Sequence, residues 1–377
     1  MADLVGLLQQ LVAIDSVNPA LVDGGAGEEE IAWFIAEWVR DAGLELEIVE
    51  PVSGRPSVVA IARGSGGGRS LMLNAHTDTV GVAGMENPFE PRIDGRRLYG
   101  RGSLDMKSGL AAAMVATLAA KERGLKGDVI LTAVSDEEHA SVGTSSIVEH
   151  WSADAAIITE PTDLEISIAH KGFTWLELET HGIAAHGSRP DLGIDAIAKM
   201  GHVLAALEEL DQSLRAGEGH LLLGTGSVHA SLISGGQELS SYPEHCRLDI
   251  ERRTVPGEGP ELVERQIREL IERLATDVPD LRTTLTIGLV RQPYEIREDA
   301  PIVELVRRQA RTTLGNEPEI SGATGWMDSA ILGAAGIPTV IFGPGGYGAH
   351  AVEEWVDLDS VEQCAGVLLA VAEEFCG

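Results

Sequence analysis

The sequence predicts an α/β protein in which a mostly parallel sheet, covered by helices, is interrupted by an inserted α+β domain. Short apolar strands alternate with helices in the N-terminal part, and this pattern gives way near residue 173 to long alternating strands. The first pattern returns after residue 288. A chain of 377 residues also exceeds the size at which a single core usually divides. We therefore expect a discontinuous domain of residues 1–172 and 289–377, with residues 173–288 inserted.

The N-terminal pattern justifies the parallel sheet. Helical periodicity over residues 4–15 and 28–42 precedes the strand-like runs LELEIVE, PSVVAIA and SLMLNAH. An Ala-rich helix then begins near Lys107, followed by the apolar runs DVILTAV and AAIIT. Strands that are apolar throughout are typical of parallel sheets buried on both faces.

The remaining elements follow the same logic. In the inserted domain, TWLELETHG, SVHASLISG and CRLDIERR alternate in polarity, and helices are expected over residues 192–215 and 259–276. Beyond it we expect helices near residues 301–314 and 327–335, the strand PTVIFG and a final helix from Leu358.

Composition limits the function classes. The 28 basic and 59 acidic residues give a formal charge of -31, which argues against nucleic acid and anionic membrane surfaces as partners. The sequence has no apolar run of membrane-spanning length and no signal-peptide pattern. Three cysteines without a CxxC pair do not indicate a disulfide framework. These features predict a cytoplasmic protein.

Acidic residues and histidines follow the apolar strands. SLMLNAH ends at His76 and is followed by Asp78, and DVILTAV leads into three carboxylates at 136–138. The next strand precedes Glu160, and PTVIFG precedes the loop with His350. Ligands of open α/β sheets bind at the carboxyl edge of the strands, so we expect these side chains to meet there. Asp78 is expected to accept a hydrogen bond from the far nitrogen of His76.

Each motif alone has a simpler alternative. His76 and Asp78 could be a surface pair, Asp105 could cap the Ala-rich helix, and the acidic triplet could be a solvated loop. Together, however, one histidine and two carboxylates per ion, with one carboxylate shared, fit two zinc-like ions.

Five motifs occur in an order that resembles the M20 metallopeptidase family: HTDT, GRGSLDMKSG, SDEE, TEPT and GPGGYGAH. That family includes acetylornithine deacetylase, succinyl-diaminopimelate desuccinylase, aminoacylase and glutamate carboxypeptidase. The resemblance implies a metal-binding catalytic domain, a ferredoxin-like lid that forms a homodimer, and a cis peptide between Asp105 and Met106.

The resemblance also implies residue roles in the catalytic domain. Glu137 would be the general base for the water between the metals, and Asp78 would orient His76. Two ligand sets would share Asp105: His76, Asp105 and Glu160 for one ion, and Asp105, Glu138 and His350 for the other.

In the lid, the resemblance implies that His186 stabilises the oxyanion. Arg252 or Arg253 would meet a substrate carboxylate, although an ion pair with Asp249 or Glu251 is an equal alternative. His229 is a candidate substrate contact.

A second candidate substrate segment is GATGWMDSAIL, which contains Gly322 and Thr324. Trp326 and Met327 replace smaller polar residues of the resembling family here, which suggests a more apolar pocket.

The function expected from these features is metal-dependent hydrolysis of the amide bond of an N-acyl-L-amino acid, similar to acetylornithine deacetylase. Two divalent ions are expected, with Zn²⁺ first and Co²⁺ or Mn²⁺ as alternatives. Alternatives in the same family are a dipeptidase or carboxypeptidase, acting on a short peptide, and a succinyl-diaminopimelate desuccinylase. A catalytically silent metal-binding or regulatory protein is the alternative from another class.

Overall fold

The computed structural model describes residues 3–377. The chain divides into two compact units. The first contains the described residues through Ile168 together with Ile296–Ser321 and Met327–Gly377, and the second contains Ala169–Glu295 and Gly322–Trp326. The predicted insertion of residues 173–288 falls within the second unit. Its role as a lid remains a prediction.

The described residues form nine α-helices. Their bounds are α1 Leu4–Val12, α2 Glu29–Asp41, α3 Lys107–Arg123, α4 Val142–His150, α5 Ala196–Ala216, α6 Pro260–Asp277, α7 Pro301–Leu314, α8 Ser329–Ala334 and α9 Leu358–Cys376.

Seventeen strands were found in the same residues. They are β1 Glu45–Val49, β2 Ser57–Ala62, β3 Leu71–His76, β4 Arg92–Asp94, β5 Arg97–Tyr99, β6 Val129–Val134, β7 Ala155–Ile158, β8 Ile166–His170, β9 Gly172–His181, β10 Ser227–Gly235, β11 His245–Thr254, β12 Thr283–Arg291, β13 Tyr294–Glu295, β14 Ile320–Ala323, β15 Thr339–Ile341, β16 Gly346–Tyr347 and β17 Trp355–Asp357.

The largest sheet of the first unit has the strand order β1-β2-β6-β3-β7-β15-β8. β3 runs parallel to β6 and to β7, and β7 runs parallel to β15. β1, β2 and β8 join through antiparallel pairs. The predicted mostly parallel sheet is therefore confirmed at its centre, with antiparallel strands at its sides. The parallel strands bring their carboxyl ends to one edge.

Packing in the first unit explains why its strands are apolar throughout. Every residue of β2, β3, β6 and β7 is buried. α3 packs against three of these strands and against α9. Its many alanines permit this close approach, and the helix ends at Gly124, whose φ of 63° suits a glycine. None of the helices within residues 3–377 is both long and apolar enough to cross a membrane.

A second, small sheet of the first unit was not predicted. It joins β16, β17, β5 and β4 in that order. Its strands have only two or three residues and lack an apolar period, so the sequence gives no strand signal. The sheet holds the segment after β15 beside the loop that precedes α3.

The second unit contains a four-stranded antiparallel sheet in the order β10-β11-β9-β12. Alternate residues of β9 and β11, such as Leu178 and Leu248, pack with Met200 of α5 and Ile267 of α6 in one core. The opposite face of the sheet lies in solvent, which explains the alternating sequence of these strands.

Candidate metal centre

The carboxyl edge of the parallel strands carries the first predicted ligand set. His76 is the last residue of β3, and Glu160 follows β7. His76 Nε2 lies 3.2 Å from Asp105 Oδ1 and 3.5 Å from Glu160 Oε1. His76 Nε2 is thus near both carboxylates, although the groups whose ligand atoms all lie within 4.8 Å of one another are His76 with Asp105 and Glu138, and His76 with Glu137 and Glu160.

The second predicted set meets at the same place. His350 Nε2 lies 3.3 Å from Asp105 Oδ2 and 3.2 Å from Glu138 Oε2. The two oxygens of Asp105 therefore face different imidazoles. Burial alone would raise the pKa of Asp105, but hydrogen bonds with His350 and His76 outweigh burial and lower it. This is the geometry expected of a bridging carboxylate. The Asp105–Met106 peptide is cis, as expected.

The tautomer of His76 suits metal binding. Its Nδ1 donates to the main-chain oxygen of Asp78 at 2.9 Å, and a carbonyl can only accept. Burial alone would lower the pKa of His76, but the charge of Glu160 and a hydrogen bond with Asp105 raise it well above its ordinary value. In the neutral form that binds a metal, Nε2 carries the lone pair on the side of Asp105 and Glu160. The predicted hydrogen bond from His76 to the Asp78 carboxylate is wrong, because Oδ1 lies 3.6 Å from Nδ1.

The Asp78 carboxylate faces the loop after β6 instead. It accepts the main-chain N–H groups of Glu137 at 3.1 Å and Glu138 at 3.2 Å, and the side-chain amide of Asn18 at 2.8 Å. Asn18 also donates to Asp136 at 3.0 Å. Asp78 therefore fixes the position of the predicted base and of a predicted ligand together.

Glu137 lies beside the first ligand set. One carboxylate oxygen of Glu137, one ring nitrogen of His76 and one carboxylate oxygen of Glu160 all lie within 4.8 Å of one another. Oε1 is buried and has no hydrogen-bond partner within the described part of the chain. Burial raises the pKa of Glu137 well above its ordinary value, and the charge of Glu160 raises it further. A buried carboxylate without a donor is suited to receiving a proton.

The electrostatics of the site favour cations. Burial also raises the pKa of Glu160. The pKa of Glu138 is raised mainly by burial and further by the charge of Asp105. Hydrogen bonds with Asp105 and Glu138 raise the pKa of His350 to about 10. Four largely buried carboxylates thus converge with the buried His76 and the exposed His350, and bound divalent cations would offset the repulsion between the carboxylates. The donor set fits two zinc-like ions.

Glu354 supports the Asp105 loop and was missed from the sequence. Its buried carboxylate accepts the N–H groups of Gly102 at 3.0 Å, Leu104 at 2.9 Å and Asp105 at 3.0 Å. It also pairs with Arg101 at 2.6 Å. No sequence pattern marks this residue, because it reaches the loop through the unpredicted small sheet.

A second missed group is Asp328 of the GATGWMDSAIL segment. Its side chain is buried and accepts a hydrogen bond from Thr144. Burial raises the pKa of Asp328 to about 6. The adjacent Met327 packs against the core cluster of the main sheet, and Trp326 donates to the main-chain oxygen of Gln292 at 3.0 Å.

The predicted substrate-binding arginines have different surroundings in the second unit. Arg252 is fully buried and pairs with Glu258 at 2.8 Å. Arg253 is about one-third exposed, pairs with Glu251 at 2.5 Å and lies over the ring of Phe173. The alternative of an ion pair is therefore present for both residues, with Glu258 as an unforeseen partner.

Three of the other predicted residues of the second unit are exposed, and the fourth is a closely packed glycine. His186 is exposed, and its Nδ1 lies 2.8 Å from Ser188 Oγ. His229 of β10 and Thr324 are exposed. Gly322 has no room for a side chain, since a Cβ there would lie 2.6 Å from Leu223.

Known proteins match this chain over most of its length. Residues 72–374 match peptidase family M20/M25/M40. Acetylornithine deacetylase of Myxococcus xanthus is 32% identical over 98% of this chain and 97% of its own length. N-formyl-4-amino-5-aminomethyl-2-methylpyrimidine deformylase of Halalkalibacterium halodurans is 28% identical over 99% and 94%.

A solved structure shows the same fold. The YXEP protein of Bacillus subtilis, described as a dinuclear metal-binding peptidase from the M20 family, superposes with a TM-score of 0.77 at 16% identity. The match covers 99% of this chain and 97% of that one.

Proposed function

The chain belongs to peptidase family M20/M25/M40, and we propose that it removes the acyl group from N-acyl-L-amino acids. As a member of this family the chain is a metal-dependent hydrolase that acts on amide bonds. One observation carries the proposal: the two oxygens of Asp105 face two imidazoles, beside the buried Oε1 of Glu137, which has no hydrogen-bond partner among residues 3–377.

Two divalent ions, with Zn²⁺ first and Co²⁺ or Mn²⁺ as alternatives, would be held by the two ligand sets that share Asp105. When bound, such ions polarise the amide carbonyl and lower the pKa of the attacking water. Asp78 keeps Glu137 and Glu138 in place through their main-chain N–H groups.

Glu137 is the proposed general base. Its Oε1 accepts a proton from the water that attacks the amide carbon, and the same carboxyl then gives the proton to the leaving amine. The amide C–N bond breaks, and the products are a carboxylate and the free amine. The raised pKa of Glu137 suits this exchange, because a stronger base holds the proton between the two steps.

Residues of the second unit are proposed to act on the substrate. His186 is an exposed donor suited to the oxyanion, and no partner of its Nε2 was found among residues 3–377. Of the two arginines, we favour Arg253 for the substrate carboxylate, because Arg252 is buried against Glu258. His229, Gly322 and Thr324 remain candidate substrate contacts.

The relatives support deacylation. The names of the two curated relatives describe removal of an acetyl or a formyl group. The YXEP neighbour is described as a peptidase, so cleavage of a dipeptide or short peptide is the second candidate. Succinyl removal is a third variant of the same chemistry.

A substrate panel tests the proposal. The enzyme reconstituted with Zn²⁺ or Co²⁺ would be assayed on N-acetyl, N-formyl and N-succinyl amino acids and on dipeptides, with Glu137→Gln as the inactive control. We expect the highest kcat/KM on an N-acyl amino acid and loss of turnover with a chelator. Preference for dipeptides with a free amino group would replace deacylation with dipeptidase activity, and turnover in the metal-free chain would contradict the mechanism.

Homodimerisation is proposed through β10. This strand lies at the edge of its sheet, and Leu232 and Ile233 are 69% and 54% exposed. An exposed apolar edge strand is a ready site for pairing with a second copy.

A cytoplasmic location is proposed as well, because Cys246, Cys364 and Cys376 are all free and buried, which suits a reducing compartment.

A further inference from the structure

The solvent face of the four-stranded sheet carries a second cluster of metal-binding side chains. Glu179 and His181 are two residues apart on β9, so their side chains share one face, and the intervening Thr180 is buried. His245 of β11 lies directly opposite His181 in the antiparallel register. Thr284 of β12 lies opposite Glu179. Three neighbouring strands therefore converge on one spot.

The ligand atoms are close together. His245 Nε2 lies 2.9 Å from Glu179 Oε1, and His181 Nε2 lies 3.9 Å from Glu179 Oε2. The ring centroids of the two histidines are 5.9 Å apart. One ligand atom from each residue falls within 4.8 Å of the others. Ligands of a tetrahedral Zn²⁺ at about 2.0–2.1 Å lie roughly 3.3 Å from one another, so small rotations of these side chains suffice.

We propose that Glu179, His181 and His245 form a separate binding site for a divalent transition-metal ion, with Zn²⁺ as the first candidate. Two imidazoles and one carboxylate leave a fourth position open to water. Two nitrogen ligands favour Zn²⁺, Ni²⁺ or Cu²⁺ over Mg²⁺ and Ca²⁺, which prefer oxygen. The site lies wholly within the second unit and does not depend on the proposed amidohydrolase activity.

The neighbouring groups leave the cluster available. Arg247 lies directly opposite Glu179 across the β9–β11 pair, but its ion pairs are with Glu177 and Asp249 at 2.8 Å each. His181 Nε2 contacts the hydroxyl of Thr284 at 2.8 Å, so an ion bound at this nitrogen would replace the hydroxyl at its single lone pair. The three ligand side chains are also partly exposed, so an ion can enter from solvent.

The test is a Zn²⁺ titration by isothermal calorimetry, with ion content measured on the same samples. The protein would be the full chain already loaded at the catalytic centre. We expect one additional ion per chain in the wild type, and loss of that ion in His181→Asn and in Glu179→Gln. Mg²⁺ should not compete for it. His202→Ala is the matched control, because His202 is an exposed histidine of α5 outside the cluster.

Equal additional binding in the wild type and in both cluster variants would overturn the proposal, as would no additional binding in the wild type. Loss of the ion in the His202→Ala control would also overturn it, since the ion would then lie elsewhere. Glu179→Gln keeps the shape of an exposed side chain, so it reports on the ligand even if His181→Asn is poorly folded.

Discussion

Glu137 and Glu138 are adjacent carboxylates with different surroundings. Glu138 meets His350, whereas Oε1 of Glu137 has no hydrogen-bond partner in the described chain. The sequence predicts both residues at the sheet edge, because they follow a buried strand. It does not predict that Asp78 holds their main-chain N–H groups, since that contact depends on the turn after β6, where Asp136 has a φ of 69°.

Substitution of the two glutamates should separate catalysis from metal binding. Glu137→Gln should keep its ions and lose about 10²–10⁴-fold in kcat, the contribution typical of a general base. Glu138→Ala should lose ions, because it removes a ligand of the second set. Ion content and kcat would be measured on the same samples. Equal ion loss in both variants would contradict the assignment.

Glu354 should hold the loop that carries Asp105 in place by accepting its main-chain N–H groups. Glu354→Ala leaves three main-chain N–H groups, two of them buried, and the buried Arg101 without their carboxylate, and breaking a buried ion pair costs about 3–5 kcal/mol. We expect a lower free energy of unfolding in urea and weaker metal binding. The control is Glu353→Ala, an exposed neighbour. Similar effects of the two substitutions would show that Glu354 does not act through this loop.

At the scale of elements, apolar periodicity predicts the helices well. The expected helix over residues 301–314 has the bounds of α7, and the last helix begins at Leu358 as predicted. Both contain strong periodic patterns with clear starts. The small sheet of β4, β5, β16 and β17 could not be predicted, because its pairing is set by tertiary contacts rather than by local pattern.

Gly109 permits the approach of α3 to the segment before Glu160. A Cβ at this position would lie 1.9 Å from the main-chain oxygen of Thr159. Gly109→Ala should therefore lower the free energy of unfolding by about 1–3 kcal/mol and weaken metal binding. Urea denaturation and metal titration would measure the two effects.

The matched control is Gly201→Ala in α5, where no atom lies within 4 Å of the added Cβ. This substitution should raise the free energy of unfolding by about 0.5–1 kcal/mol, because alanine is the better helix former. Stabilisation by Gly109→Ala would show that α3 does not need this close contact.

At the scale of the whole molecule, the order of motifs along the chain predicted the family and the set of side chains at the sheet edge. Residues far apart in the sequence, such as His76 and His350, can meet because the strands that precede them are parallel. The carboxyl ends of parallel strands all lie at one edge of the sheet. The roles of His186 and Arg253 stay predictions, because they depend on contacts with a substrate.

The exposed apolar residues of the edge strand β10 lead us to predict a dimer. If Leu232 and Ile233 pair with a second copy, the wild type should have the mass of a dimer by light scattering. A double substitution to lysine should give the monomer, because charges on an edge strand oppose pairing. Leu221→Lys is the control, as Leu221 is 95% exposed and lies outside the strand. A monomeric wild type, or a dimer that survives the double substitution, would contradict this interface.

The proposed metal centre requires that one carboxylate, that of Asp105, serves two ions. The most direct test is ion content per chain together with amide hydrolysis, measured in the His181→Asn background so that the proposed site on the second unit does not contribute. We predict about two ions with intact Asp105, about one in His350→Ala, and fewer than one with no turnover in Asp105→Ala. Two ions retained in Asp105→Ala, or full activity with one ion, would contradict this role of Asp105.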